Sequence, residues 1–351
     1  MKIKRKLGVM MILIVVISAL VGCSGGNKEE NNAVKIALVH TVTGLGDNNM
    51  NDIAYAGLEK ARDELGIEFT NVEPKEIADY EVLLNELAAT EEYDLIISLS
   101  VEQKDALEKV SANYPDQKFY TNSYILEGDN ISSSEVIWEE FMFMAGYINA
   151  KLTTSGLYEN LNDDPIIGLV YANDTPQQTI PAAGYVAGAK LANPEVEVQQ
   201  SVVGDFQDIS RAKELAIGQY GEGVDIVQAF AGKAGLGVIN AAGESDLYAS
   251  GVSVNQNTID PDHVIHTTLN RLDVSIYDQI KTIVDGTWAP GTVYVGIKAG
   301  QFEIETEGSN LEIPQEILDE AEEAGQKAAD GEIVIPQSME EMDQFIADYC
   351  G

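Results

Sequence analysis

The sequence predicts an α/β protein with two lobes, each built on a doubly wound parallel sheet. Three observations support this fold class. From residue 34 onward, short apolar strands alternate with amphipathic helices, the pattern of repeated βαβ units. The same pattern starts again after a polar stretch at residues 153–164. The chain has 351 residues and 45% hydrophobic content, which suits two globular domains.

The first lobe begins with a continuous apolar run at residues 35–40, which predicts a buried strand. Residues 49–65 place their apolar side chains on one stripe, which predicts a helix, and Gly66 ends it. The remaining elements of this lobe are predicted strands at 67–72, 95–99 and 118–121 and predicted helices at 80–89 and 103–113.

The second lobe opens with a helix at 139–152 and a strand at 166–171. The next helix covers 181–191, with Pro181 in its first turn, where proline is tolerated. Further predicted elements of this lobe are strands at 196–203 and 224–230, helices at 210–219 and 236–242, short strands at 293–295 and 302–304, and an acidic helix at 314–329. A strand at 263–269 and a helix at 274–285 are predicted in the segment between them.

We expect the chain to cross between the lobes three times, near residues 136–140, 251–255 and 290. Lobe 1 would then contain 34–137 and 253–290, and lobe 2 would contain 138–252 and 291–351. Ligands of doubly wound sheets bind at the carboxyl ends of the strands, so the cleft between the lobes is the expected site. Closure about the three-segment hinge is the expected motion.

The amino terminus has the pattern of a secretory signal peptide over residues 1–22, with a basic start and an apolar run too short to span a membrane. Its end, Leu20-Val21-Gly22-Cys23, resembles the lipobox of bacterial lipoproteins, whose cysteine is diacylated. Residues 23–33 would then be a flexible lipidated tether. The alternative is an ordinary signal peptide with a chance cysteine. Lipidation of Cys23 would place the protein outside the cytoplasm, anchored at the membrane facing the periplasm or the outer surface.

The acidic composition excludes several functions. The formal net charge is −37, and loss of the signal, which carries only basic charges, would make it more negative still. Such a chain repels nucleic acid and anionic lipid, so we expect membrane contact through the lipid anchor alone. Cys350 would have no disulfide partner. His263 and His266 are three residues apart on a predicted strand, so their side chains should lie on opposite faces of the sheet, and we expect no metal site there. We also expect no cofactor and a monomeric protein.

Two segments indicate a binding site, although each has a structural alternative. The polar loop at 46–52 opens the first helix, where it could contact a ligand or cap the helix. The run at 223–237 leads from a buried strand through small residues into a helix, which suits close approach of a ligand or tight packing. No nucleophile elbow or phosphate-binding loop is present, and the glycines at 44 and 46 lack the third glycine of a dinucleotide fingerprint.

Several motifs resemble the basic membrane protein family of bacterial solute-binding lipoproteins, which includes purine nucleoside receptors. In chain order they are Ala37-Leu38-Val39, the Gly-Asp-x-x-x-Asn loop at 46–51, Gly57-Leu58, Asp94-Leu95-Ile96-Ile97, Asp105-Ala106-Leu107, Tyr114-Pro115-Asp116-x-x-Phe119, Glu140 with Ala145-Gly146, Gly184-Tyr185-x-x-Gly188-Ala189-Lys190, Asn193-Pro194, the run at 223–237 and Gly331-Glu332-Ile333-x-Ile335-Pro336. The resemblance implies the type I periplasmic-binding-protein fold and delivery of a solute to an ABC permease.

The resemblance also implies a set of ligand-binding residues, which are Thr41, Asp47, Met50, Asn51, Ser100, Val101, Ser123, Phe206, Gly232, Ser253, Asn255 and Asn270. Family members clamp a base between aromatic rings and hold the ribose with a carboxylate and a lysine. Here Phe206 keeps one ring, Met50 replaces the other, and Ser253 and Asn270 replace the charged pair.

We therefore expect a small, neutral, ring-containing ligand such as a nucleoside or nucleobase. Three alternatives remain open at this point: a binding protein for a solute that is not a nucleoside, a ligand sensor that signals to a membrane receptor, and an extracytoplasmic enzyme.

Overall fold

Two six-stranded sheets form the framework of the part of the protein that the structure describes. The computed structural model describes residues 33–47 and 50–351. The first sheet contains β1 (Lys35–Val39), β2 (Glu68–Val72), β3 (Leu95–Ser98), β4 (Phe119–Asn122), β5 (Ile131–Val136) and β11 (Gly291–Val295). The second contains β6 (Ile166–Tyr171), β7 (Glu197–Val202), β8 (Ile226–Phe230), β9 (Tyr248–Ser253), β10 (Val264–Asn270) and β12 (Phe302–Glu305).

Ten α-helices lie in the described part of the chain. They are α1 (Met50–Leu65), α2 (Asp79–Ala89), α3 (Lys104–Asn113), α4 (Trp138–Thr153), α5 (Pro176–Ala192), α6 (Ile209–Gly221), α7 (Leu236–Ser245), α8 (Leu272–Val284), α9 (Gln315–Ala329) and α10 (Met342–Tyr349).

The two sheets have the same strand order. It is β11-β5-β4-β3-β1-β2 in the first and β12-β10-β9-β8-β6-β7 in the second. Neighbouring strands are parallel throughout, except that β12 runs antiparallel to β10. The predicted class of two doubly wound α/β lobes is confirmed.

Apolar strands buried between helix layers form the core of each lobe. In the first lobe, α1 and α8 cover one face of the sheet, whereas α2 and α3 cover the other. In the second lobe, α6 and α7 cover one face, and α4 and α5 cover the other. A strand buried on both faces needs a continuous apolar run, which explains why the sequence pattern identified these strands.

Helices α4 and α5 pack unusually closely through glycines. A Cβ atom at Gly146 would lie 2.0 Å from the Tyr185 carbonyl oxygen, and one at Gly188 would lie 1.9 Å from that of Phe143. Any side chain at either position would therefore force the helices apart. The glycine motifs at 145–146 and 184–190 thus serve packing within the second lobe.

The chain crosses between the lobes at residues 136–138, 270–272 and 295–302. Strand β10 pairs with β9 in the second sheet, whereas α8 packs against α1 and β11 pairs with β5 in the first. We name lobe 1 as residues 34–136 with 272–295, and lobe 2 as residues 138–270 with 302–351. The predicted boundaries 253–290 and 291–351 differ from this pairing, because an isolated strand sequence does not state which sheet it extends.

The first and third crossings are tied together by one buried carboxylate. Glu140, in the first turn of α4, accepts a hydrogen bond from the backbone N–H of Ile297 at 2.8 Å. Burial raises the pKa of this carboxyl group. The bond couples the start of α4 to the third hinge segment.

Four elements differ from the sequence prediction, and one of them is strand β9, which lies where no strand was predicted. Strand β5 was not predicted because its sequence is Ile-Ser-Ser-Ser-Glu-Val, yet its three serines are buried with hydrogen-bonded hydroxyl groups. Helix α10 was also missed. Helix α5 begins at Pro176 rather than at Pro181, so Pro181 lies inside it. The carbonyl group that loses its helical partner there belongs to the exposed Gln177, where water can satisfy it.

The signal segment, Cys23 and the tether up to residue 32 lie outside the described residues, as do Asn48 and Asn49 of the polar loop. Within the ranges that are described, no helix combines the length and apolar composition needed to cross a bilayer.

Candidate functional site

Three adjoining cavities lie along the carboxyl ends of the strands: the central one is lined by lobe 2, and the other two are lined by residues of both lobes. The central cavity has a volume of about 290 Å³ and is lined by Trp138, Gln177, Gln178, Phe206, Phe230, Gly232, Val252, Ser253, Val254 and Gln256. A hinge-side cavity of about 580 Å³ shares Trp138 and Gln177 with it. A far cavity of about 340 Å³ shares Ser253 and Val254. The shared walls make one continuous cleft, at the place where the fold predicts a ligand.

Phe206 presents its ring to the central cavity. Its side chain is 43% exposed, so the ring is not a core residue. Its carbonyl oxygen accepts a hydrogen bond from the Ala234 N–H at 2.8 Å. Gly232 has φ of +58°, and a Cβ atom there would lie 3.1 Å from Cδ1 of the Phe206 ring. Glycine at 232 thus provides both the left-handed turn and the space for the ring.

Two further rings, which the sequence reasoning missed, complete an aromatic wall. Trp138 begins α4 at the first crossing, and Phe230 ends β8. Their ring centroids are 6.2 Å apart with a tilt of 52°. Phe230 lay in the run at 223–237 that suited close approach of a ligand, and Trp138 lay in the predicted first crossing at 136–140, but neither was predicted as a site residue. Aromatic rings bind flat apolar surfaces well.

Two glutamines that were also missed flank Phe230. Oε1 of Gln178 accepts from the Ala172 N–H, and Oε1 of Gln256 accepts from the Val252 N–H, both at 3.1 Å. Each side chain is therefore held in one orientation at the edge of the cavity.

The cleft contains two serines with strained backbone. Ser123 follows β4 with φ of +77°, and Ser253 ends β9 with φ of +72°. Strands β4 and β9 occupy the same place in their sheets. Left-handed backbone costs a non-glycine residue about 1–2 kcal/mol, and such strain concentrates at ligand sites. Ser253 lines the central and far cavities, and Ser123 lines the hinge-side cavity.

The loop after β1 is held together by Asn51. This fully buried amide accepts from His40 Nδ1 at 3.1 Å and the Thr41 N–H at 2.9 Å, and it donates to Thr41 Oγ1, Thr43 Oγ1 and Asp47 Oδ2 at 2.7–2.9 Å. All its hydrogen-bonding capacity is used inside the loop. Asn51 therefore shapes the loop, and Thr41 and Asp47 are its partners.

The remaining predicted residues have mixed placements. Met50 packs against the core of lobe 1. Ser100 accepts from the Glu102 N–H and so caps the short helix that follows, whereas Val101 is exposed in the hinge-side cavity. Asn255 and Asn270 line the far cavity. Among the described residues, the lining of the three cavities does not include Thr41, Asp47, Met50, Asn51 or Ser100.

Charge is confined to the flanks of the cleft. The hinge-side cavity contains Lys104, Glu135 and Glu139, and burial together with the neighbouring Glu139 raises the pKa of Glu135. The far cavity contains Asp52, Arg271 and Asp273. Burial lowers the pKa of His40 behind the loop.

In the described ranges, no group of three or more His, Cys, Asp and Glu side chains is placed to hold a metal ion.

Comparison with known families agrees with this architecture. Residues 33–339 match the Bmp family, described as PnrA-like ABC transporter substrate-binding proteins. An uncharacterised lipoprotein of Pyrococcus abyssi is 30% identical over 84% of this chain and 76% of its own length. The ABC transporter nucleoside-binding protein BmpA of Lactococcus lactis is 26% identical over 95% of this chain and 99% of its own length.

Solved structures of solute-binding proteins share the fold. One from an ABC transporter system of Aeropyrum pernix superposes with a TM-score of 0.68 and 26% identity, over 90% of this chain and 97% of that one. Another from Conexibacter woesei has a TM-score of 0.72 and 19% identity, over 87% of this chain and 99% of that one, and it supports the fold alone.

Proposed function

Since this chain belongs to the PnrA-like family of ABC transporter substrate-binding proteins, we propose that it is an extracytoplasmic lipoprotein that captures a nucleoside or nucleobase-like solute in the cleft. The family is one of binding proteins and not of enzymes, and it implies a small-molecule ligand and a permease partner. The identity of the ligand, the lipid anchor and a monomeric state are the proposed parts.

One observation carries the ligand proposal. The ten residues lining the central cavity include three aromatic rings, three amides and no ionisable side chain. A charged ligand would lose its hydration there without gaining an opposite charge, whereas a flat neutral ring would stack and keep its hydrogen bonds. The Lactococcus relative that is named a nucleoside-binding protein supports the same ligand class.

Ligand screening by thermal shift tests this proposal directly. The purified full chain in detergent is incubated with nucleosides, nucleobases, sugars and amino acids, and hits are followed by calorimetry. Ligand at one hundred times its Kd adds about 2.7 kcal/mol to the apparent stability of the folded state. We expect nucleosides or nucleobases to raise the melting temperature. A response to sugars or amino acids alone would contradict the proposal.

The replaced ribose contacts give a second test. Ser253→Asp combined with Asn270→Lys would introduce the charged pair that the family resemblance assigns to ribose. Hydrogen bonds to charged groups are worth about 1.5–3 kcal/mol each, so the double variant should bind nucleosides more tightly than the corresponding free bases. Equal gains for bases and nucleosides would argue against ribose at these positions.

Anchoring is tested at Cys23, whose motif gives the lipoprotein assignment; the Pyrococcus relative is also named a lipoprotein. Cys23→Ser should abolish incorporation of labelled fatty acid and release the protein from the membrane fraction. Cys350→Ser is the matched control and should leave both unchanged. Uptake of the labelled solute by cells lacking the gene then separates import from sensing, since only import requires the protein for uptake.

A further inference from the structure

We infer that Gln178 and Gln256 donate hydrogen bonds to two acceptor atoms on the ligand, so that the central cavity selects rings bearing carbonyl oxygens over rings bearing amino groups. This inference rests on the proposed function and names the chemistry by which the same cavity distinguishes its ligands.

Both glutamines have one end of the amide fixed and the other end unpaired. Their Oε1 atoms accept backbone N–H groups at 3.1 Å, which assigns the opposite end of each amide as the donating Nε2 group. Within the described part of the chain, no residue accepts a hydrogen bond from either Nε2. The side chains are only 7% and 8% exposed, and both line the central cavity.

A third glutamine shows that this arrangement is not a general consequence of the fold. Gln103 of lobe 1 also accepts a backbone N–H through Oε1, from Leu99 at 3.2 Å. Its Nε2 donates to the carbonyl oxygens of Val39 at 3.1 Å and His40 at 2.8 Å. A glutamine that accepts a backbone N–H at the end of a strand thus has its Nε2 group paired with carbonyl oxygens in lobe 1, whereas the Nε2 groups in lobe 2 have no acceptor in the described part of the chain. Both residues line the central cavity, so their donors are open to a molecule bound there, and a ligand that accepts from them would complete the hydrogen bonding of each amide.

The sheet places the two donors on either side of an aromatic floor. Gln178 lies in the first turn of α5 after β6, and Gln256 follows β9, while Phe230 ends the strand β8 that lies between them. Gly251 leaves the space that Gln256 occupies, because a Cβ atom there would lie 2.8 Å from Oε1 of the glutamine and 2.9 Å from its Cβ. A ring lying on Phe230 thus presents opposite edges to the two amides.

The chemistry of the donors selects the ligand. An amide NH₂ group donates to a carbonyl oxygen or to an unprotonated ring nitrogen. A ligand amino group at the same place would set donor against donor and leave both unpaired. Sites built to form hydrogen bonds reject analogues that cannot form them far more strongly than apolar pockets reject small changes in size. We therefore expect oxo-substituted rings such as those of inosine and uridine to bind more tightly than the amino-substituted rings of adenosine and cytidine.

Calorimetry on the full chain in detergent tests this inference. The variants Gln178→Glu and Gln256→Glu keep an oxygen to accept the backbone N–H but replace the NH₂ donor with a second oxygen. Inosine is expected to bind the unchanged protein at least about tenfold more tightly than adenosine, and each variant should weaken inosine binding at least about tenfold, which corresponds to 1.4 kcal/mol. Gln207→Glu adds the same charge one residue from Phe206, on an exposed side chain outside the cavity, and should change inosine affinity less than about threefold.

The outcomes separate this inference from the proposed function. If no nucleoside or nucleobase binds the unchanged protein, both are wrong. If inosine binds but the glutamate variants bind it as tightly, or if adenosine binds as tightly as inosine, the proposed function stands and the inference is wrong. Should a glutamate variant fail to fold by circular dichroism, Gln178→Met and Gln256→Met replace it. They carry no charge and no donor, so loss of the preference for inosine over adenosine supports the inference, and its retention overturns it.

Discussion

Lobe 1 and lobe 2 share a strand order but differ in how their cleft-facing ends use hydrogen bonds. In lobe 1, the amide of Asn51 is saturated within its own loop, and the amide of Gln103 is saturated by the Leu99 N–H and the carbonyl groups of Val39 and His40. In lobe 2, the amides of Gln178 and Gln256 keep open donors beside the exposed ring of Phe206. In the same fold, therefore, an amide side chain can stabilise the protein in one lobe and be available to bind a ligand in the other. We expect lobe 2 to bind the ligand first and lobe 1 to close over it.

The largest effect should come from removing a saturated amide. In Gln103→Ala, the buried Leu99 N–H and the carbonyl groups of Val39 and His40 lose their partner. Unsatisfied buried groups cost about 1–3 kcal/mol each, so we expect a loss of about 3 kcal/mol or more in the free energy of unfolding, measured with urea. Affinity for the ligand should be unchanged in protein that remains folded.

The counterpart in lobe 2 should behave in the opposite way. Gln256→Ala leaves only the Val252 N–H without its partner, and that group borders the solvent-accessible cleft, so we expect a stability loss of about 1 kcal/mol together with a clear loss of affinity. Equal stability losses for Gln103→Ala and Gln256→Ala would show that the two amides do not differ in their contribution to stability.

Acid should affect the two lobes through different buried histidines. Burial lowers the pKa of His266 in lobe 2 from 6.5 to about 4. Between these pH values the unfolded chain binds a proton that the folded protein does not, so His266 reduces stability as the pH falls. At pH 4 its contribution relative to neutral pH is a loss of about 3 kcal/mol.

Unfolding of the unchanged protein and of His266→Gln, measured from pH 7 to pH 4, isolates this contribution. The difference in unfolding free energy between them should shift by about 3 kcal/mol in favour of the variant at low pH. Asp225, whose pKa is raised to about 6 by burial, stabilises the fold as the pH falls and cancels in this difference. For His40→Gln, the same difference in unfolding free energy should change less between pH 7 and pH 4, because nearby carboxylates oppose the lowering of the His40 pKa. A larger shift for His40 would contradict the comparison.

The aromatic ring on lobe 2 gives the next effect. Stacking of a base on an aromatic side chain is worth about 1–3 kcal/mol, so Phe206→Ala should weaken ligand binding roughly 5- to 150-fold by calorimetry. Its stability should be almost unchanged, because the ring is 43% exposed. Ile217→Ala in α6 is the matched control with the same exposed fraction, 43%, and it should leave affinity unchanged. Unchanged affinity in Phe206→Ala would exclude this ring from the site.

The smallest effect concerns the strained serines. Glycine adopts the left-handed backbone without strain but loses more entropy on folding, so Ser123→Gly and Ser253→Gly should each stabilise the protein by only about 0.5 kcal/mol. The thermal gains should be similar in the two lobes. If lobe 2 holds the ligand, only Ser253→Gly should also alter affinity; a change confined to Ser123→Gly would assign the ligand to lobe 1.

Much of the fold followed from the sequence alone. Strands such as β1 and β3 are continuous apolar runs because both of their faces are buried, and this pattern is visible without a structure. Strand β5 escaped because its burial depends on hydroxyl groups that find partners on other elements, including Tyr120 and Gln279. A serine-rich segment acquires these partners only in the folded protein.

The predicted site residues also fall into two groups: some line the central cavity, and others form hydrogen bonds within their own loop. Phe206 and Gly232 were predicted, and both line the central cavity, because a family-like pattern surrounds them in the sequence. Asn51 was predicted as a ligand contact, but its amide is used within its own loop. Sequence pattern identifies a residue that matters at the cleft, but it does not distinguish a side chain that shapes a loop from one that faces the ligand.

The sequence by itself determined the two-lobed α/β class, the alternation of elements and the family, because these depend on local periodicity and ordered motifs. Only the tertiary structure decided which sheet β10 and β11 extend and which side chains meet. Trp138, Gln178, Phe230 and Gln256 are far apart along the chain, and the order of β6, β8 and β9 in one sheet brings the last three to the same edge. Sheet order arises from pairing between distant strands, so no local stretch of the sequence contains it.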